Sequence, residues 1–231
     1  DETITTDQSK PQKNAKKEQK KEPETENEIE LKTEPNGTKV DNLKKYSVIL
    51  ASGSPRRKEL LSAIGIDYEV KVIKGIDESY PTDMDAVEIP QFISRQKAAA
   101  YKKDMSGNEL IITADTVVSV ENKILGKPQD KEEAVKMLNL LSGRKHQVIT
   151  GVTVLSKERE ETFAAVSHVT IAPLSEKEID YYIEKYQPYD KAGANGIQEW
   201  LGMIGVTEIE GSFFNVMGLP VQRLYSLLKT F

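Results

Sequence analysis

Apolar residues follow two rhythms along this chain. Short runs of mainly β-branched and aliphatic residues at 46–51, 67–73, 109–114 and 117–120 read as strands. Two longer runs, 148–155 and 163–171, flank the polar stretch Lys157-Glu158-Arg159-Glu160 and predict a hairpin. Between them the period changes to that of a helix. Ala134, Met137, Leu138 and Leu141 follow the i, i+3, i+4, i+7 spacing of one buried face, within a helix expected over 130–141. Further helices are expected at 55–64, 89–104, 175–186 and 219–229. The fourth of these five in chain order opens on Ser175-Glu176-Lys177-Glu178, a capping box. Strands interleaved with helices imply a three-layer α/β domain. No internal repeat is evident.

Residues 1–44 break both rhythms. They are rich in Lys, Glu, Thr, Gln and Asn, and carry no aromatic residue. Such a segment buries too little apolar surface to offset its ordering entropy, so it reads as a disordered charged tail or linker. The folded domain is expected over 45–231. Composition narrows the partners. With 38% hydrophobic and 30% charged residues, the chain lies in the range of soluble domains. A net charge of −5 gives no reason to expect nucleic-acid or anionic-membrane binding. No apolar run approaches the roughly 20 residues that span a bilayer. The absence of cysteine excludes disulfides and thiol chemistry and fits a reducing, cytoplasmic setting. The sequence begins at Asp1 rather than Met, and any upstream signal or domain would fall outside it.

Chemistry concentrates in a few segments. Ser52-Gly53-Ser54-Pro55-Arg56-Arg57 follows the apolar run 48–51 and precedes a helical one. Ser54 fits an N-cap and Pro55 the first helical position. Free N–H groups at that helix start, two hydroxyls and two guanidiniums make either a phosphate cradle or a capped helix with two solvated arginines. Asp115 interrupts Ile111-Ile112-Thr113-Ala114-Asp115-Thr116-Val117-Val118. A carboxylate in so apolar a run needs a cation or metal partner, and it is expected where the strand ends or bends. Lys97 shares a helix face with Ile93 and Ala100, and taken alone reads as a snorkelling lysine. Lys127 is held extended before Pro128, as a phosphate ligand or a loop lysine. The small residues of 190–198 permit close backbone approach to a ligand. Glu78 alone reads as a solvated turn acid. His146 is expected to be exposed in a turn, and it and His168 have no metal or triad spacing. Trp200, Leu201, Met203 and Ile204 read as packing residues. There is no GxxxxGK[ST] or GxGxxG signature.

Together these segments resemble the Maf family of nucleotide pyrophosphatases. The matching residues are Ala51-Ser52-Gly53-Ser54-Pro55-Arg56-Arg57, Lys97-Ala98, Ala114-Asp115-Thr116, Gly126-Lys127-Pro128, Ser142-Gly143-Arg144, Asp190-Lys191-Ala192-Gly193, Gly196-Ile197-Gln198 and Val216-Met217-Gly218-Leu219-Pro220. They occur in the family's order from Tyr46 to the end. The resemblance implies a Maf/ITPase-like α/β fold, a mixed central sheet with flanking helices in two lobes around a cleft. It implies hydrolysis of a nucleoside triphosphate to the monophosphate and pyrophosphate with a divalent cation, Mg²⁺ or Mn²⁺, and a homodimer. It assigns phosphate contacts to Ser52, Arg56, Arg57, Lys97 and Lys127, and metal contacts to Glu78 and Asp115. Asp115 is expected as the base, as a metal ligand, or as both. Arg56, Thr116 and Gln198 match the subgroup acting on dTTP and UTP. Two departures lie near the expected base-recognition loop: Asn195 where the subgroup usually has Tyr, and Glu199-Trp200-Leu201-Gly202 where a glycine-rich turn is common. The rival readings are a non-catalytic nucleotide-binding regulator of division, and a pyrophosphatase for deaminated purine or 7-methylguanosine nucleotides.

Overall fold

A computed structural model describes residues 40–231, so all but the last five residues of the tail expected over 1–44 lie outside the described residues. A short 3-10 turn, Asp41–Lys45, leads into β1 (Ser47–Leu50), α1 (Pro55–Ala63) and β2 (Glu69–Val70). Then come α2 (Glu88–Tyr101), β3 (Glu109–Val120), β4 (Lys123–Leu125) and α3 (Lys131–Leu141). The hairpin β5 (Lys145–Leu155) and β6 (Glu160–Ile171) precedes α4 (Glu176–Tyr186). The chain closes with α5 (Trp200–Gly205), β7 (Val206–Glu210), α6 (Phe213–Met217) and α7 (Val221–Leu228). The capping box at Ser175 forms, with both its bonds made.

The strands make one mixed sheet in the order β2-β1-β3-β5-β6-β7, with β4 added to the far end of β3. β1 pairs in parallel with β2 and β3, and every other pairing is antiparallel. Alternation along β3 sends its residues to two different cores. Leu110, Ile112 and Ala114 pack with Leu60 and Leu61 of α1 and Leu224 and Leu228 of α7. Ile111 packs with Ala98 and Tyr101 of α2, and Val117 with Ile89 and Ile93 of the same helix. Farther along, Val118, Val120 and Val148 meet Met137 and Leu141 of α3. Helices α3, α4 and α5 share a further core of Ala134, Leu138, Tyr182, Ile183 and Leu201. These last two cores form the second lobe of an α/β fold.

Four sequence expectations change. Val40 and Leu43 are buried in the first core, so packing begins ahead of residue 45. The strand expected over 67–73 shrinks to Glu69–Val70, because only Ile49 and Leu50 of β1 are there to pair with it. His146 is not in an exposed turn. It is the second residue of β5, only 2% exposed, and its Nε2 lies 3.4 Å from Asn195 Nδ2. Of the four residues expected to pack near 200, Leu201 is buried but Met203 is 76% exposed and Ile204 is also exposed, since one turn of helix can bury only one face.

Helix α2 crosses the sheet at Gly151, the residue of β5 opposite Asp115. A Cβ on Gly151 would stand 2.3 Å from the Pro90 carbonyl carbon. Gly151→Ala should therefore destabilise the fold by about 1–3 kcal/mol or more, read by urea unfolding, because a backbone and not a side chain must move. Burial lowers the His146 pKa to about 4. The unfolded chain takes up that proton near pH 6.5, so between the two values the unfolded state binds more protons and stability falls as pH drops. Between pH 7 and pH 5 the wild type should lose about 2 kcal/mol more unfolding free energy than His146→Gln.

Candidate active site

The site follows from a mismatch of strand lengths. β1 pairs with residues 109–112 of β3 and stops, whereas β3 continues to Val120. On that side, residues 113–117 have no strand partner among the described residues until β4 joins at Val118. A cleft of about 460 Å³ opens beyond the carboxyl end of β1, the usual ligand position in an open α/β sheet. Because side chains alternate, the open edge presents Asp115 from one face and Thr116 from the other, and both line the cleft. Asp115 thus sits inside one twelve-residue strand, not at the expected break between two. The ladder to β5 runs unbroken through it, and only the other edge is free.

Asp115 is 14% exposed, and Lys97 of α2, 15% exposed, donates to its Oδ1 at 2.9 Å. The same ammonium lies 3.1 Å from Glu78 Oε1, on the loop between β2 and α2. Lys97 therefore reaches into the site. The loop that brings Glu78 is tied down by Tyr101, whose hydroxyl donates to the Lys71 carbonyl and accepts from the Ile73 N–H. Two carboxylates aimed at one cation form a hard-oxygen donor pair that suits Mg²⁺ or Mn²⁺. No cluster of three or more His, Cys, Asp or Glu side chains that could hold a metal exists among the described residues. An ion at Glu78 and Asp115 would take its other ligands from phosphate oxygens and water.

The opposite wall is the turn after β1. Ser54 caps α1, its hydroxyl accepting from the Arg57 N–H at 3.5 Å, and Pro55 takes the first helical position. Buried Ser52 accepts from the Ser54 N–H at 3.2 Å. Arg57 turns inward. Its Nε donates to the Gly218 carbonyl, Nη1 to the Ala114 carbonyl at 3.0 Å and Nη2 to Thr116 Oγ1 at 3.0 Å. It thereby supplies a partner to the β3 edge where β1 has ended, and grips the residues on both sides of Asp115. Burial lowers the Arg57 pKa, and the nearby Asp115 carboxylate opposes that shift.

Arg56 turns the other way. It donates from Nη1 to Asp190 Oδ2 at 2.8 Å, from Nη2 to the Asp190 carbonyl and from Nε to the Met217 carbonyl. Burial pushes the Asp190 carboxyl up, but hydrogen bonds from Lys191 and Arg56 outweigh it and hold the pKa at about 2. Gln198 and Lys127 line the same cleft as exposed side chains. Val118 and Val148, with Ala192 and Val216 packed against them, belong to one apolar cluster and also line it. All nine sequence candidates, Ser52, Arg56, Arg57, Glu78, Lys97, Asp115, Thr116, Lys127 and Gln198, therefore meet in one cavity. Sequence reasoning missed the valine wall, which looks like ordinary core, and the ion pairs of Asp190, Lys191 and Glu199, which lie in turns and loops where no helix or strand period applies. His168 contacts Gln147 and does not line the cleft.

The architecture is thus a mixed α/β sheet with a charged cleft where its parallel strands end. The family model described as Maf-like protein matches residues 47–231, and the chain belongs to the Maf family. It is 57% identical over 188 residues to the dTTP/UTP pyrophosphatase of Bacteroides thetaiotaomicron, covering 81% of this chain and 97% of that protein. It is 58% identical over 190 residues to the dTTP/UTP pyrophosphatase of Phocaeicola vulgatus, covering 82% and 98%. Against the protein of the same name from Flavobacterium johnsoniae, identity is 45% over 190 residues, covering 82% and 97%. Among solved structures, the Staphylococcus aureus Ham1 protein aligns at 18% identity and a TM-score of 0.41, over 55% of this chain and 72% of that one.

If Asp115 and Lys97 work as a pair, removing either group must cost turnover. Asp115→Asn keeps the shape and removes the charge. It should lower kcat by about 100-fold or more while circular dichroism shows the fold retained, the scale of a lost acid–base group.

Proposed function

We propose that this chain is a nucleoside triphosphate pyrophosphatase that hydrolyses dTTP and UTP to the monophosphate and pyrophosphate. One observation carries the reading. A single cleft gathers Asp115 and Lys97 with Arg56, Thr116 and Gln198, in a chain 45–58% identical to proteins named for that activity.

The chemistry needs a water aimed at the α-phosphorus, a group to take its proton, and compensation for the charge of the leaving pyrophosphate. Asp115 accepts the proton as the water oxygen bonds to phosphorus and the bond to the α–β bridging oxygen breaks. Lys97 fixes the Asp115 carboxylate by its 2.9 Å hydrogen bond and offers a cation to the phosphates. The capped start of α1, with Ser52 and Ser54, directs N–H and hydroxyl groups at phosphate oxygens. Arg57 spends three of its donors on the protein, which leaves two N–H groups for phosphate. Lys127, an exposed residue of the lining, adds a further point charge. Glu78 and Asp115 would hold a Mg²⁺ or Mn²⁺ ion, which when bound neutralises triphosphate charge; a carboxylate that ligates the ion is a weaker base, so for Asp115 this role competes with proton transfer. Most of the rate then comes from positioning and charge stabilisation rather than covalent chemistry.

Base selection falls to the other part of the cleft. The apolar wall of Val118, Val148 and Val216 suits the face of a pyrimidine. The Gln198 amide, a donor and an acceptor side by side, suits the imide edge shared by thymine and uracil.

The full chain with added Mg²⁺ or Mn²⁺ should release pyrophosphate from dTTP and UTP in a coupled assay. In a panel with CTP, ITP and 7-methyl-GTP, kcat/KM should be highest for dTTP and UTP. Release of orthophosphate alone would refute the reaction class. A preference for ITP or 7-methyl-GTP would refute the substrate assignment, and tight nucleotide binding without turnover would make the protein a regulator instead.

A further inference from the structure

Beside the cleft, charged and polar groups from separate segments form one continuous chain. Arg56 of α1 holds Asp190 Oδ2, and Lys191 Nζ donates to Asp190 Oδ1 at 2.8 Å. The same Lys191 ammonium lies 2.9 Å from Glu199 Oε1. The Tyr182 hydroxyl of α4 donates to Glu199 Oε2 at 2.6 Å and accepts the Gly196 N–H at 3.0 Å. Lys191 is 7% exposed and Tyr182 is fully buried. An ammonium so enclosed is costly unless both of its carboxylate partners stay in place. Arg56, Asp190, Lys191 and Glu199 alternate in sign and sum to zero charge, so the cluster can be buried as a unit.

Glu199 occupies the N-cap position of α5, where a carboxylate ordinarily accepts from the first helical N–H groups. It makes no such bond. Its side chain turns back under the 196–198 segment to reach Lys191 and Tyr182. The space it fills is where a side chain at 196 would be, since a Cβ on Gly196 would lie 2.3 Å from Glu199 Oε2 and 2.7 Å from the Tyr182 hydroxyl. A Cβ on Gly202 would lie 1.7 Å from the Ile197 carbonyl oxygen, so the far side of the segment is packed as closely. The Glu199 N–H also donates to the Gly196 carbonyl at 3.1 Å. Gln198 is thus held from both flanks while its own side chain stays exposed at the cleft.

We propose that Glu199 and Lys191 are positioning residues for substrate choice, linking Arg56 on one wall of the cleft to the Gly196–Gln198 segment on the other. The proposal rests on the pyrophosphatase reading above. The relay makes no contact with Asp115 or Lys97, so it governs how the base is held and leaves proton transfer alone.

Trp200, the single tryptophan of the chain, adjoins Glu199 and packs edge-on to Tyr181 at 4.9 Å. Its fluorescence therefore reports on this segment without turnover. In the full chain, Glu199→Ala should raise KM for UTP about tenfold with kcat changed about twofold at most, the signature of lost uniform binding. The preference for UTP over ITP should fall, and the dissociation constant of the non-hydrolysable α,β-methylene UTP, read from Trp200, should rise in step with KM. Glu199→Gln keeps the shape, so it tests the same point should Glu199→Ala fail to fold. A KM rise of about threefold or more in that variant supports the relay. A lowered Tm with KM, analogue affinity and UTP/ITP preference all unchanged in Glu199→Gln would mean a purely structural role and overturn the proposal. If the wild type itself releases no pyrophosphate from dTTP or UTP, the parent reading has failed. A wild type that turns over while both variants match it sinks the relay alone.

Discussion

The site depends on the ion pair between Lys97 and Asp115. Asp115 lies in the middle of a twelve-residue, largely apolar strand that is paired with β5 from Ile111 to Ser119. Such a carboxylate is tolerable only with a cation at hydrogen-bond distance. That requirement fixes where α2 must lie, and α2 reaches that position only because Gly151 has no side chain. The same requirement recruits Glu78, since the ammonium that balances Asp115 has a second face open to the loop before α2. A packing constraint on a helix and a charge constraint on a strand are therefore met at one point.

A second constraint is the early end of β1. Stopping that strand at Leu50 frees the edge of β3 and opens the cleft there. It also leaves main-chain acceptors without a neighbour, and buried acceptors demand one. Arg57 meets the demand at the Ala114 carbonyl. The two adjacent arginines thus do different work. Arg57 stands in for a missing strand, whereas Arg56 joins the neutral relay through Asp190, Lys191 and Glu199. One side of the cleft keeps free donors and charge, and on the other the groups pair so that their charges cancel.

Much of this was legible in the sequence. The period-3.6 face of α3 and the capping box of α4 are local features, and both form as read. The Ser54 cap and Pro55 could be read together because a helix start is specified within four residues. The expected break at Asp115 was misplaced because a charge in an apolar run is a turn signal only when no partner exists, and Lys97 is 18 residues away. His146 was misread for a related reason. Its neighbours Gly143, Arg144 and Lys145 look like a turn, but β5 begins at Lys145 and its alternation turns the imidazole inward.

By itself the sequence determined most of the longer helices and strands, though not β4, α5, β7 or α6, which residues carry charge, and that the Ser52–Arg57 turn sits between a strand and a helix. Those properties depend on neighbours within a few positions. The tertiary structure alone decided that Lys97 pairs with Asp115, that Arg57 replaces a strand at the β3 edge, and that Glu199 turns away from its own helix to meet Lys191 and Tyr182. Each of these is the settling of a buried charge or an unpaired main-chain group. Such a group is satisfied by whatever the fold brings within about 3 Å, however distant in the chain.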